Sequence, residues 1–234
     1  MEFVPNESKK LEISTEFGDF LRLPIKTHVV VKDDSLVEII DKYVKPHIQD
    51  GDMIFISEKI VAISQGRAFD IDDIKPSRLA RVLCKFVVKT PYGIGLGSPW
   101  TMELALKDVG IPRILFAAFC SAITKPFGIR GVFYRIAGTR ARAIDGPCEC
   151  TIPPYNHAAK LAPLNPEKVA IELMKHTGCM VAIMDANDLG REVLGTSDDF
   201  LSVEMCKAIF EDNPLGQGRE QTPIAIVRKI FKEE

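Results

Sequence analysis

The sequence predicts an α+β fold. Three observations carry that expectation. Helical apolar spacings of three and four mix irregularly with short apolar runs of strand length, no fixed period repeats along the 234 residues, and 46% apolar with 26% charged residues suits an ordinary globular core. At this length about 70% of the unfolded chain's surface can be buried, enough for one large unit or two lobes.

The first dozen residues are polar and aperiodic and are expected to form a mobile or late-docking start. Leu36, Ile39, Ile40, Tyr43 and Val44 recur at helical spacing, and Pro46 closes that helix. Gly51-Asp52 turns into a short buried strand from Met53 to Ile56, and a second apolar run follows at Ile60 to Ile63 before the Gln65-Gly66-Arg67 turn. Pro76-Ser77 opens a helix through Leu79, Val82 and Leu83, and Phe86 to Val88 reads as strand. A glycine-rich stretch from Tyr92 to Pro99 precedes a helix at Thr101 to Val109, and helical spacing resumes from Ile114 to Ile123. Gly131 to Ile144 alternates as a long strand would. Beyond a proline-rich loop, Asn165 as N-cap, Pro166 at the first helical position and Gly178 as the stop mark a helix, and a strand from Met180 to Met184 runs into Asp185. A helix near Val203 to Phe210 leads through a loop to a final strand from Pro223 to Val227. The elements lack the strict alternation of a doubly wound sheet.

Thirty basic against 32 acidic residues leave a net charge of −2, so the whole chain exerts no pull on nucleic acid or an acidic membrane surface, and any anion site must be local. The longest apolar stretch, Ile114 to Ile123, is about half of what spans a bilayer. Six scattered cysteines and the absence of a signal pattern at the start lead us to expect a cytoplasmic protein with reduced thiols.

Acidic residues at the ends of apolar runs are the strongest chemical signal: Asp145 after Ala141 to Ile144, and Asp185 after Met180 to Met184. A carboxylate held there suits a hard cation that bridges phosphates, and it equally suits a turn or helix cap. The loop Gly93 to Ser98 reads G-x-G-x-G-S, a weak phosphate-binding signal better explained as a connection. Cys148-x-Cys150 beside His157 lacks the spacing of a four-ligand zinc site, so these thiols are expected as small buried hydrophobes. His28, His47 and His176 lie in separate segments and read as surface or cap residues. Arg135, Arg140 and Arg142, on the expected long strand, fit either a phosphate or carboxylate contact or a solvated face.

Several stretches in order resemble one family, the coenzyme F420 gamma-glutamyl ligases. They are Leu23-Pro24-Ile25-Lys26, the run from Gly51 to Val61 with Gln65-Gly66-Arg67, and the Pro76-Ser77 helix start, then Ile144-Asp145 and Leu164-Asn165-Pro166. Val181 to Asp185 with Gly190-Arg191, and Gly216-Gln217 followed by Pro223 and Val227-Arg228, complete the set, whereas residues 92–134 match nothing in it. The resemblance implies two interlocked α+β lobes, at about 1–90 with 195–234 and about 91–194 of one ligase unit. It places divalent metal, Mg2+ or Mn2+, on Asp145, Asp185 and Gln217. It places the nucleotide, GTP or another nucleoside triphosphate, near Leu23, Pro24, Ile25, Lys26, Ser57, Glu58 and Glu220. Arg142 and Arg191 would hold substrate carboxylates by bidentate hydrogen bonds.

Departures from the family pattern cluster in the nucleotide shell. Ile63 stands where a lysine precedes the turn, Ala186 where a threonine follows the second aspartate, and Cys148 where an asparagine follows the first. The implied activity is a metal- and nucleotide-dependent amide-bond ligase joining glutamate or a similar amino acid to an acidic small molecule. A non-catalytic relative that senses a nucleotide or phosphorylated metabolite is the other class. The family also implies a homodimer, and the apolar segments Ile111 to Ile123 and Pro126 to Tyr134 exceed what a solvent-facing connection needs.

Overall fold

The computed structural model describes residues 3–87, 95–129, 131–187, 190–216 and 218–231. In chain order the strands are β1 (Glu12–Thr15), β2 (Gly18–Ile25), β3 (Met53–Ser57), β4 (Ala68–Asp70), β5 (Ala158–Lys160), β6 (Met180–Asn187), β7 (Gly190–Thr196) and β8 (Ile224–Ile230). The α-helices are α1 (Leu36–Ile39), α2 (Glu58–Ser64), α3 (Arg78–Leu83), α4 (Pro99–Asp108), α5 (Ile111–Thr124), α6 (Val132–Ala137), α7 (Thr139–Arg142), α8 (Pro166–Thr177) and α9 (Val203–Ile209). The chain is an α+β protein with a mixed sheet. It divides into two compact units, residues 1–66 with 163–234, and residues 67–162. This partition differs from the lobes expected at about 1–90 with 195–234 and 91–194, because α8 and β6 build onto the first unit's sheet.

The first unit is a six-stranded sheet in the order β1-β2-β8-β3-β6-β7, with β3 and β6 parallel and the other pairs antiparallel. Period-two alternation sends Met53, Phe55, Ala182, Met184, Ala225 and Val227 to one face, where they meet Ile209 and Phe210 at the end of α9. Phe55 and Phe210 stack with ring centroids 4.7 Å apart. The intervening residues Ile54, Ile56, Val181, Ile183, Ile224 and Ile226 are fully buried, so both faces are covered. That is why these strands read in sequence as unbroken apolar runs. Helix α8 lies on β6 and β7 and comes closest at Gly195, where a Cβ would stand 2.4 Å from the backbone nitrogen of Glu167. Only glycine permits that approach.

Arg22 is buried inside this unit. Its guanidinium donates to Ile209 O at 2.9 Å, to Lys10 O at 2.7 Å and to both oxygens of Asp212. Asp52, whose side chain is fully buried, takes two 2.8 Å bonds from Arg228 and accepts from the Gln49 backbone N–H.

The second unit is mostly helical, with β4 and β5 paired antiparallel. Leu96, Met102, Ala105, Ile114, Ala117, Ala137, Ala141 and Ile144 form its core. Asp108, nearly buried, receives Arg67 and Arg140, each at 2.7 Å.

Several expectations are corrected. Residues 131–144 form α6 and α7 rather than a strand, so Arg135, Arg140 and Arg142 sit on short helices. Phe133, Ala137 and Ala141 share the core at spacings of four, and Gly131 and Gly138 take positive φ at the helix starts. Cys84–Phe86 is a 3-10 turn rather than strand, and Val88 lies outside the described residues. The run Ile60 to Ile63 is the body of α2, buried all round, so its period does not show. The polar start is docked: β1 pairs with β2, and Asn6 Nδ2 donates to Pro214 O and Thr222 Oγ1, each at 2.8 Å. Cys148 and Cys150 are exposed and joined as a disulfide, whereas free Cys84, Cys179 and Cys206 are buried. Asn165 occupies the N-cap position of α8 at φ 46°, through its backbone carbonyl rather than its side chain.

Candidate functional site

Register decides which side chains share one end of the first unit's sheet. Ile25 pairs with Ile224, Ile224 with Ile56, and Ile56 with Ile183, which makes one row across four strands. One residue beyond it stand Lys26, Pro223, Ser57 and Met184, with the Ser57 N–H donating to Pro223 O at 2.8 Å. A further residue on come Glu58 and Asp185. Carboxyl ends of parallel strands such as β3 and β6 are where open α/β sheets place ligands.

Each side chain is positioned by its element. Ser57 is extended and caps α2, its Oγ accepting from the Lys59 N–H at 3.3 Å. Glu58, the first residue of α2, is buried. Leu23, Pro24 and Ile25 are buried within the β2–β8 ladder, so Lys26 is the member of that segment with an exposed side chain.

Asp185 lies two residues before the end of β6, not after it, and is half-buried. Its register partner on β7 is Glu192. Side chains directly opposite in an antiparallel pair have Cβ atoms about 5 Å apart. Register thus sets two carboxylates on one face of the hairpin, and an oxygen-only donor set suits Mg2+ or Mn2+. The residues present therefore fit a hard divalent ion. Sequence reasoning missed Glu192, since only the register of the hairpin, with its irregularity at Ile183/Met184, brings it opposite Asp185.

The loop 213–221 is tied beside Lys26, because the Thr27 N–H donates to Gln221 O at 3.0 Å. Within it Asn213 Nδ2 donates to Gly216 O at 3.0 Å and the Gly218 N–H donates to Glu220 Oε2 at 2.7 Å. Glu220 thus braces the loop internally. Gly216, at φ 78°, holds a left-handed conformation that favours glycine, and a Cβ there would require the Glu220 carboxyl, 2.7 Å away, to shift. Gln217 lies outside the described residues. Arg191 pairs in register with Ala186 and donates to Lys207 O at 3.4 Å.

Asp145 and Arg142 belong to the second unit. Asp145 follows α7 and forms a two-way backbone bridge with Lys160, at 3.0 and 2.9 Å. The Lys160 side chain is 6% exposed and its ammonium stands 3.4 Å from Asp145 Oδ2, so this carboxylate already has a cation beside it. Lys160 also escaped the sequence reading, although a lysine inside the apolar run Ala158 to Ala162 was a usable signal. Arg142 ends α7 with its side chain exposed. The histidines are surface groups: His28 meets Asp34 at 3.0 Å, His176 meets Asp41 at 2.8 Å and His157 meets Asp72 at 3.5 Å.

The sequence model of F420-0:gamma-glutamyl ligase matches residues 24–187, well over half of the chain. The chain belongs to the F420-0:gamma-glutamyl ligase family. An uncharacterised protein of Methanocaldococcus jannaschii is 29% identical over 157 residues, which cover 65% of this chain and 51% of that protein. The chain therefore spans about half the length of the curated relative it matches. The F420-0:gamma-glutamyl ligase match includes Lys26, Ser57, Glu58, Arg142, Asp145 and Asp185, and ends before Arg191, Glu192, Gln217 and Glu220. Of the departures from the ligase pattern, Ile63 is a core residue of α2, Ala186 lies in β6 opposite Arg191, and Cys148 is bonded to Cys150.

Proposed function

We propose that the protein is an amino-acid ligase that joins glutamate, or a similar amino acid, to an acidic small molecule at the expense of a nucleoside triphosphate. Joining an acid to an amine is uphill in neutral water. In the proposed reaction an acceptor carboxylate oxygen attacks the terminal phosphorus, the bond to the nucleoside diphosphate breaks, and an acyl phosphate forms. The amine then attacks the acyl carbon, phosphate leaves, and the amine gives up a proton. When bound, Mg2+ or Mn2+ supplies charge neutralisation on the phosphates.

Asp185 and Glu192 are the residues proposed to hold the cation, and the family resemblance adds Gln217. Lys26, Ser57 and Glu58 stand at the same sheet end, where an ammonium, a hydroxyl and a carboxylate suit a triphosphate and a ribose. Glu220 shapes the adjoining loop. A role for Asp145 in metal binding rests on the family resemblance, and roles for Arg142 or Arg191 in holding substrate carboxylates rest on the bidentate chemistry of guanidinium. The observation that carries the reading is the family match, which takes in Lys26, Ser57 and Asp185 at one end of the sheet.

The test is nucleoside diphosphate release from GTP and from ATP with Mn2+, glutamate and a panel of acidic acceptors that includes F420-0. Release that requires both amino acid and acceptor, and falls at least about 100-fold in Asp185→Asn, is expected. Tight nucleotide binding with no release would instead favour a non-catalytic sensor, a reading supported by Ile63, which leaves an apolar core side chain where the family carries a lysine.

A further inference from the structure

The net charge of −2 conceals a strong segregation. Residues 74–144 hold twelve Lys and Arg against two acids, Glu103 and Asp108, so this stretch is strongly basic while the rest of the chain is strongly acidic. All of it belongs to the second unit. The same stretch carries the largest concentration of exposed apolar side chains, centred on α5. Ile114 and Ala117 turn into the core, while Ile111, Leu115, Phe116, Phe119 and Ile123 lie on the open side, followed by Phe127. Phe119 is 62% and Phe127 77% exposed.

A helix that is apolar all round requires cover on every side, yet this unit covers only one side of α5. At 100° per residue the open apolar residues sweep about 140° of arc that contains no charge, with Arg113 beyond one edge and Lys125 beyond the other. Fourteen residues make a helix about 21 Å long, too short to cross a bilayer, and among the described residues no helix is long and apolar enough to do so. An apolar face with basic residues at its edges suits the plane of a membrane surface.

We propose that α5 with Phe127 docks this protein onto an anionic lipid surface, Phe116, Phe119 and Phe127 entering the headgroup boundary while the surrounding cations meet lipid phosphates. Charge complementarity selects this occupant. A second copy meeting the same stripe about a two-fold axis would bring its flanking cations, Arg113 and Lys125, toward their own images. A nucleic acid would match the charge but would leave Ile111, Leu115 and Ile123 without bases to stack on, since stacking needs aromatic planes. The ligase reading plays no part in this inference.

The 234-residue chain is sedimented with vesicles of pure phosphatidylcholine and with equimolar phosphatidylglycerol and phosphatidylcholine, at about 0.1 M salt, where charges act over about 10 Å. Binding at least about tenfold stronger to the anionic vesicles is expected. Phe116→Glu with Phe119→Glu should abolish it without moving the melting temperature, because both side chains are exposed, and Lys125→Glu should weaken it several-fold. Absence of vesicle binding, or equal binding to both vesicle types, overturns the proposal. So does vesicle binding unchanged in the double variant. A light-scattering mass near twice 26.0 kDa that the double variant returns to 26.0 kDa, without vesicle binding, assigns the stripe to a second copy. Salt-sensitive binding to a single-stranded oligonucleotide alone assigns it to nucleic acid.

Discussion

Arg22 and Asp212 show what a single buried charge demands. Arg22 is 1% exposed, and its ion-pair partner is Asp212, itself partly open to solvent. Burial pushes the Asp212 carboxyl up, but the Arg22 hydrogen bond and charge outweigh it and hold the group below the usual carboxylate range. A depressed folded value contributes stability above the unfolded carboxylate value of about 3.9, and that contribution disappears as pH falls through the folded value. Asp212→Asn should therefore cost about 2 kcal/mol near pH 7, and less once pH falls below the folded value, read from urea midpoints in neutral and acid buffer. Ile63 makes the opposite case. It is 5% exposed, so Ile63→Lys buries an ammonium. The expected cost is about 3–5 kcal/mol, lowering the melting temperature by about 10 °C without improving nucleotide affinity in a titration. Cys206 is similarly insulated, its thiol pushed up to about 12 by burial, so at neutral pH it remains a protonated core residue.

Among elements, the hairpin of β6 and β7 carries the most information. Gly195 allows α8 to rest directly on it, and a methyl group there would strike backbone rather than a movable side chain. Gly195→Ala should lower the melting temperature by several degrees, whereas Gly190→Ala on the same strand, with open space around its Cβ position, should not. The hairpin register also sets Glu192 against Asp185, so Glu192→Gln should weaken Mn2+ binding by about tenfold or more, measured by electron paramagnetic resonance of free Mn2+. The sequence marked elements well where end signals were explicit: Ser77 caps α3, Pro166 opens α8 and Gly178 closes it in a left-handed conformation. It failed where two periods fitted one string. In residues 131–144 the alternation of Val132, Tyr134 and Ile136 competes with the four-residue spacing of Phe133, Ala137 and Ala141, and the core of the second unit settles the matter for helix.

At the scale of the whole molecule, ligand binding and stability are linked. If the strand-end site holds Mn2+ and nucleotide, their presence at about 100 times the dissociation constant should stabilise the fold by about 2.7 kcal/mol, a rise of roughly 5–10 °C in the melting temperature. Asp185→Asn should abolish that rise while leaving the melting temperature of the unliganded protein nearly unchanged. Charge also acts at this scale. The whole-chain total of −2 argues against polyanion binding, yet charge attracts locally over about a Debye length, so the excess of basic residues in 74–144 can act apart from that total.

By itself the sequence determined the family, the α+β class, the ends of the capped helices and the buried central strands. All of these follow from short-range patterns: a cap acts within three residues, and a period of 2 or 3.6 is visible within one element. Tertiary structure alone decided that Glu192 faces Asp185, that Lys160 sits beside Asp145, that Ile63 is core and that one side of α5 is left open. Each depends on which distant segment lies alongside, and strand register, helix docking and burial exist only once the chain has closed on itself.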